Sequence, residues 1–166
     1  HANRQQQKLK KLKDYGGESW ESLFGSKILE VPRDILSNKE DGWRVVTMTS
    51  LPELREEGLA LSHCVEYYSE DCLYLDSHIL SIVNPAKKKV GTIEIKAESG
   101  EMWAITNVGF SNAPPSKEAK EIEVWLLTQE VDYEKLNIKK GLTFLVAFSI
   151  LIKVAGRQYG KRHYRN

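Results

Sequence analysis

The sequence predicts a single α+β domain, a short antiparallel β-meander packed against several helices. Three observations predict it. Residues 78–109 hold three successive strand patterns divided by the turn signals Asn84-Pro85 and Ser99-Gly100. Helix-opening serines, Ser50 and Ser116, stand on either side of that block. Finally, 166 residues with 41% hydrophobic and 28% charged content have the size and balance of one globular domain.

Residues 1–14 are polar, Gln-rich and basic and read as a flexible tail, so the domain is expected to span residues 15–156. Gly16 and Gly17 interrupt the chain, and Trp20, Leu23 and Phe24 then follow at helical spacing up to Gly25, which predicts a short helix. After Asp41-Gly42, the β-branched run Trp43–Thr49 predicts a strand. Ser50 with Glu53 three residues on, and Pro52 in the first turn, is a capping-box start for a helix carrying Leu51, Leu54, Leu59 and Leu61. Gly58 weakens its middle, and a second helical stretch is expected from about His63 to Glu70.

The meander strands are expected at 78–84, 89–97 and 101–109. A two-residue loop at Ser99-Gly100 sets Glu98 opposite Glu101. An unbroken register then places Ile105 opposite Glu94 and Asn107 opposite Thr92, so Thr92, Glu94 and Asn107 would share one face as ligand contacts. A one-residue slip would send Asn107 to the other face. Pro114-Pro115 ends the sheet, and Ser116 opens a helix with the stripe Ala119, Ile122, Trp125 and Leu126. A last helix is expected over 138–154, and 157–166 is read as a second basic tail. Within that helix the run Leu142–Ile152 is broken only by Thr143 and Ser149, well short of the roughly 20 residues of a membrane span, so it predicts a buried core helix, with a membrane-surface or partner-binding helix, or a truncated transmembrane element, as the alternatives.

Net charge is +1, which by itself points to no polyanionic partner. The distribution is uneven: residues 135–166 carry eight Lys or Arg and no acid, whereas residues 39–76 carry nine carboxylates against Lys39, Arg44 and Arg55. Arg157, Lys161, Arg162 and Arg165, interleaved with Tyr159, His163 and Tyr164, have the composition of a nucleic-acid-contacting segment, with a solvated tail as the plainer alternative. Cys64 and Cys72 are too few for a disulfide scaffold, and no secretory signal precedes them, so a reducing, cytoplasmic location is expected. The chain begins at His1, which reads as a piece of a longer protein.

For chemistry, His63 and Cys64 stand first, a base beside a nucleophile. Neighbours in sequence rarely form a dyad with each other, so a catalytic Cys64 would need another base such as His78; the plain alternative is a buried core thiol. The spacing of His63, Cys64, Cys72 and His78 matches no compact zinc pattern, and no metal or cofactor is expected. Glu94 is a carboxylate on a central strand, either solvent-facing or ligand-contacting. Gly109 and Asn112 sit where the last strand, 101–109, enters the Pro114-Pro115 loop, where glycine permits positive φ or a close approach. There is no Walker loop, dinucleotide fingerprint or G-x-S-x-G elbow.

The segments Glu57-Gly58-Leu59-Ala60-Leu61-Ser62-His63-Cys64-Val65-Glu66-Tyr67-Tyr68, Val90-Gly91-Thr92-Ile93-Glu94-Ile95 and Gly109-Phe110-Ser111-Asn112-Ala113-Pro114-Pro115 resemble the PcfJ-like family, over residues 57 to about 127. Its pattern has a glutamine where Thr106 stands here. The resemblance implies association with plasmid-transfer or phage gene sets and no particular reaction. The positions it singles out are His63, Cys64, Tyr67, Tyr68, Glu94 and Asn112. Together these readings predict an accessory domain of a mobile element that binds DNA or RNA, or a transfer or replication protein. The alternatives are an enzyme of transferase or hydrolase type using His63 or Cys64 with Glu94, and a purely structural interaction module.

Overall fold

The computed structural model describes residues 19–163. The predicted tail at 1–14 and the predicted contact Arg165 lie outside them. Five strands form one sheet in the order β1-β2-β3-β4-β5, every pair antiparallel: β1 Ile28–Glu30, β2 Arg44–Thr47, β3 His78–Val83, β4 Lys89–Glu98 and β5 Glu101–Val108. The helices are α1 Leu51–Leu61, α2 Ser69–Leu73, α3 Lys117–Leu126 and α4 Tyr133–His163. The α+β class and the meander are therefore as the sequence predicts. β1 escaped prediction because three residues are too few to show alternation. Residues 20–24 form no helix: 20–22 are irregular and 23–24 a turn, with Trp20 Nε1 tied to the Met48 carbonyl.

Alternation along the strands separates two cores. Val45, Leu80, Ile82, Ile93, Ile95 and Ala97 meet α3 through Ala119, Ile122 and Leu126, with Leu23, Val31 and Leu36 closing that side. Met48 and Ile79, from the other side of the sheet, meet Leu54 of α1, Val65 and Cys72. Each fully buried Leu or Ile contributes roughly 1.5–3 kcal/mol, so both faces of the sheet are held by apolar burial.

Local signals behave as their chemistry requires. The Ser50 hydroxyl accepts from Glu53 N, while Glu53 Oε2 accepts from Thr49 N and its hydroxyl, which anchors the start of α1. The Ser116 hydroxyl accepts from Ala119 N at the start of α3. Ser99 and Gly100 both have positive φ, 53° and 80°, the backbone of a tight hairpin turn, and Glu98 faces Glu101.

Three further expectations fail. The β4–β5 ladder runs from Glu98↔Glu101 to Ile95↔Ala104 and then shifts, so that Glu94 faces Thr106, Ile93 faces Asn107 and Thr92 faces Val108. Ile105 is the extra residue of a β-bulge. The bulge turns Asn107 away from Thr92 and Glu94, and its Nδ2 donates to the Ala119 carbonyl of α3 at 3.1 Å. The apolar helix is not buried either. Leu136 enters the core, but Leu142, Phe144, Leu145, Phe148, Leu151 and Ile152 are each more than half exposed. The sheet face on that side is already filled by α3 and residues 23–36, so α4 extends past the body. It also runs beyond Val154, through Arg157, Lys161 and Arg162 to His163, where a tail was expected.

Candidate functional site

The site is assembled by α1, the turn that follows it and the helix-facing side of β4. In α1 the buried side reads Leu51, Leu54, Glu57, Leu61. Glu57 is thus a carboxylate in the middle of an apolar stripe, wholly buried. Such a charge is costly unless it is paired and hydrogen-bonded. Both conditions are met: Lys89 Nζ donates to Oε1 at 2.9 Å and the Thr92 hydroxyl donates to Oε2 at 2.6 Å.

Helix α1 ends in Ser62, whose φ of 53° is left-handed, and both Ser62 N and His63 N donate to the Gly58 carbonyl. This turn folds His63 back toward β4, where Nε2 lies 2.8 Å from Thr92 Oγ1. A hydroxyl has one proton, and that of Thr92 goes to the Glu57 carboxylate, which can only accept. His63 Nε2 must therefore be the donor. In a neutral ring this leaves the lone pair on Nδ1, an atom that is buried and has no partner among the described residues.

A cavity of about 170 Å³ opens beside this chain, lined by His63, Cys64, Val65, Tyr68, Ile79, Thr92, Glu94, Thr106, Val108 and Asn112. Glu94 is almost fully buried, against the reading of it as a plain solvent-facing residue, and its Oε2 accepts from the Ser77 hydroxyl at 2.6 Å. Asn112 enters the cavity wall from a 3-10 turn in which Ser111 and Asn112 hold positive φ. Gly109 does not: its φ is −93°, so the special conformation expected there falls two and three residues later.

Of the predicted residues, His63, Cys64, Tyr68, Thr92, Glu94 and Asn112 therefore converge on one cavity. Tyr67 is exposed and does not line it, and Asn107 serves α3 instead. Thr106 occupies the wall in its place. Cys64 is exposed, which overturns the core-thiol reading. His78 cannot serve it as a base, because it pairs with Ile95 on the opposite face of the sheet, where burial, aided by Lys140, pushes its pKa down to about 4. Cys72 is in the core, and burial raises its thiol well above the usual range. The four His and Cys residues are thus divided between two faces. No cluster of three or more potential metal ligands occurs among the described residues.

Sequence reasoning missed Glu57, Lys89, Ser77 and Thr106. Glu57 was detectable as a lone acid at the 3-4 spacing between Leu54 and Leu61. The others depend on strand register and on the loop before β3, which carry no local signal.

The architecture defines a class: an α+β domain whose five-stranded antiparallel sheet is clasped by a short helix through a buried Glu-Thr-His chain. Residues 1–121 match the sequence profile of the PcfJ-like protein family, and the chain belongs to that family. No curated protein and no solved structure matches it. Helix α4 lies outside the matched residues. Among the described residues no helix is long and apolar enough to cross a membrane.

Proposed function

We propose that the cavity is a binding site for a small polar ligand group, with His63 Nδ1 as the acceptor of a hydrogen bond or proton from that group. The supporting observation is the Glu57-Thr92-His63 chain. It fixes the donor at Nε2 and leaves a buried Nδ1 with no partner among the described residues, on a ring that lines the same cavity as a second buried carboxylate, Glu94. Holding one ring nitrogen by a hydrogen bond is how proteins set the tautomer and basicity of the other. A cavity this size takes a terminal group of a larger molecule, since whole drug-sized ligands need roughly 300 Å³ or more. This develops the enzyme reading with His63 and Glu94. The test is an NMR screen of small amides, amines and alcohols against the full chain. Binders should shift the amides of Thr92, Glu94 and Asn112, and the shifts should vanish in His63→Gln. If no binder maps to those residues, the proposal is wrong.

A second reading, nucleic-acid binding by an accessory domain of a mobile element, is favoured by α4. Because the helix continues to His163, Lys153, Arg157 and Lys161 recur every four residues along it. Affinity for a single-stranded oligonucleotide should fall with salt. Changing these three residues to alanine should flatten the log–log slope by roughly 0.7 for each phosphate they neutralise. An unchanged slope defeats this reading.

A further inference from the structure

Helix α4 presents two apolar sides. Leu142, Thr143, Val146 and Ile150 turn toward Trp20, Tyr74 and Leu75 of the body, lining a groove with them. On the opposite side, Phe144, Leu145, Phe148, Leu151 and Ile152 form a stripe spaced by threes and fours, extended by Ile138 at one end and Ala155 at the other. Phe144 and Phe148 stack with centroids 6.2 Å apart and rings 12° from parallel, so part of the surface is already ordered. Lys139, Lys153 and Arg157 fall on the body side of the helix by the 100° rotation per residue, which leaves the outer stripe free of charge from residue 141 to 155. A solvated helix would not carry such a stripe.

We infer that this stripe is a dimer interface, closed by the same stripe of a second copy running antiparallel. The area of the stripe and its symmetry about Phe148 select that occupant. The five outer side chains are 51–67% exposed, so with Ile138 and the small residues between them they offer roughly 600–700 Å² of surface per copy, close to the about 800 Å² per partner of a standard interface. An antiparallel pairing centred on Phe148 also sets Gly141 opposite Ala155, since each is seven residues from the centre. Two small residues then meet at both ends, where the backbones can approach closely, and the aromatic rings fill the middle. The same alignment brings Glu134, in the first turn of one helix, to the level of Arg162 in the last turn of the other. An antiparallel isologous pair forms a closed C2 dimer.

The experiment is light scattering with the full chain across a hundredfold concentration range. A mass of twice the 19.0 kDa chain is expected, falling to one chain for Phe148→Glu and Leu151→Lys, both with an unchanged circular dichroism spectrum. In a Cys64→Ser background, Phe148→Cys should self-crosslink. Gly141→Cys should not, because its two copies would lie roughly 20 Å apart along the axis, whereas a mixture of Gly141→Cys and Ala155→Cys chains should crosslink. A monomer at every concentration, or a dimer indifferent to both charge substitutions, overturns the proposal. So does self-crosslinking at position 141. A monomer that co-floats with vesicles of anionic lipid would also overturn it and would assign the stripe to a membrane surface.

Discussion

The carbonyl oxygen of His63 lies 2.7 Å from the point that a β-carbon on Gly58 would occupy. That distance links the two halves of the Glu57-Gly58 and His63-Cys64 motif. The helix carrying the buried carboxylate can end with the imidazole folded back on β4 only if the residue beside the carboxylate has no side chain. Gly58→Ala should therefore destabilise the domain. The about 1 kcal/mol gained from helix propensity is outweighed by an overlap with backbone, which costs roughly 1–3 kcal/mol because no rotamer change relieves it. Urea titration should show a lowered midpoint.

Thr92 holds both neighbours at once, donating to Glu57 and accepting from His63. Thr92→Val keeps the shape but strands a buried carboxylate oxygen and an imidazole N–H, for an expected loss of roughly 1–3 kcal/mol. Thr92→Ser should recover most of it. The imidazole ¹⁵N spectrum separates this from simple packing. In the native chain it should report a proton on Nε2, and in Thr92→Val a mixture of tautomers. The same mixture in the native chain would refute the hydrogen-bond chain.

His78 gives the stability of the fold a pH dependence. Its pKa is lowered from the ordinary 6.5 to about 4 by burial, with Lys140 and Lys96 adding repulsion. The unfolded chain thus takes up a proton that the folded chain refuses. Stability is complete above pH 6.5, falls as the pH is lowered toward 4 and levels off there, by about 3 kcal/mol in all. Glu53 acts in a lower window. Burial alone would raise its pKa, but bonds from Lys27 and Thr49 lower it, so its contribution is lost as the pH falls through the carboxylate range. Thermal unfolding between pH 7 and 4.5 should show the fall for the native chain and little of it for His78→Leu.

The meander, the capped helices and most of the cavity wall were legible in the sequence because each rests on local chemistry. Serine caps, a Ser-Gly turn and a two-residue period act over a few positions. The failures are non-local. The Ile105 bulge leaves no mark in the alternation of residues 101–108, yet it decides whether Asn107 or Thr106 faces Glu94. The burial of His78 and the exposure of Phe148 depend on which face α3 had already filled. Hydrophobicity specifies that a surface must be covered, not what covers it.

The bulge itself supports one more prediction, because it assigns adjacent residues to opposite tasks. Asn107 ties the sheet to α3 through the Ala119 carbonyl, while Thr106 stands across from Glu94 in the cavity wall. Asn107→Ala should cost about 1 kcal/mol, the net worth of one hydrogen bond, and leave the amide signals of Thr92, Glu94 and Asn112 in place. Thr106→Gln, which puts a longer amide at that position, should do the reverse. At a solvent-facing position its stability change should stay within about 0.5 kcal/mol, but the longer amide reaches into the cavity and should shift those three signals. With an unbroken register, the substitution at 107 would disturb the cavity and the one at 106 would not. The pair of variants therefore reads the strand register directly in solution.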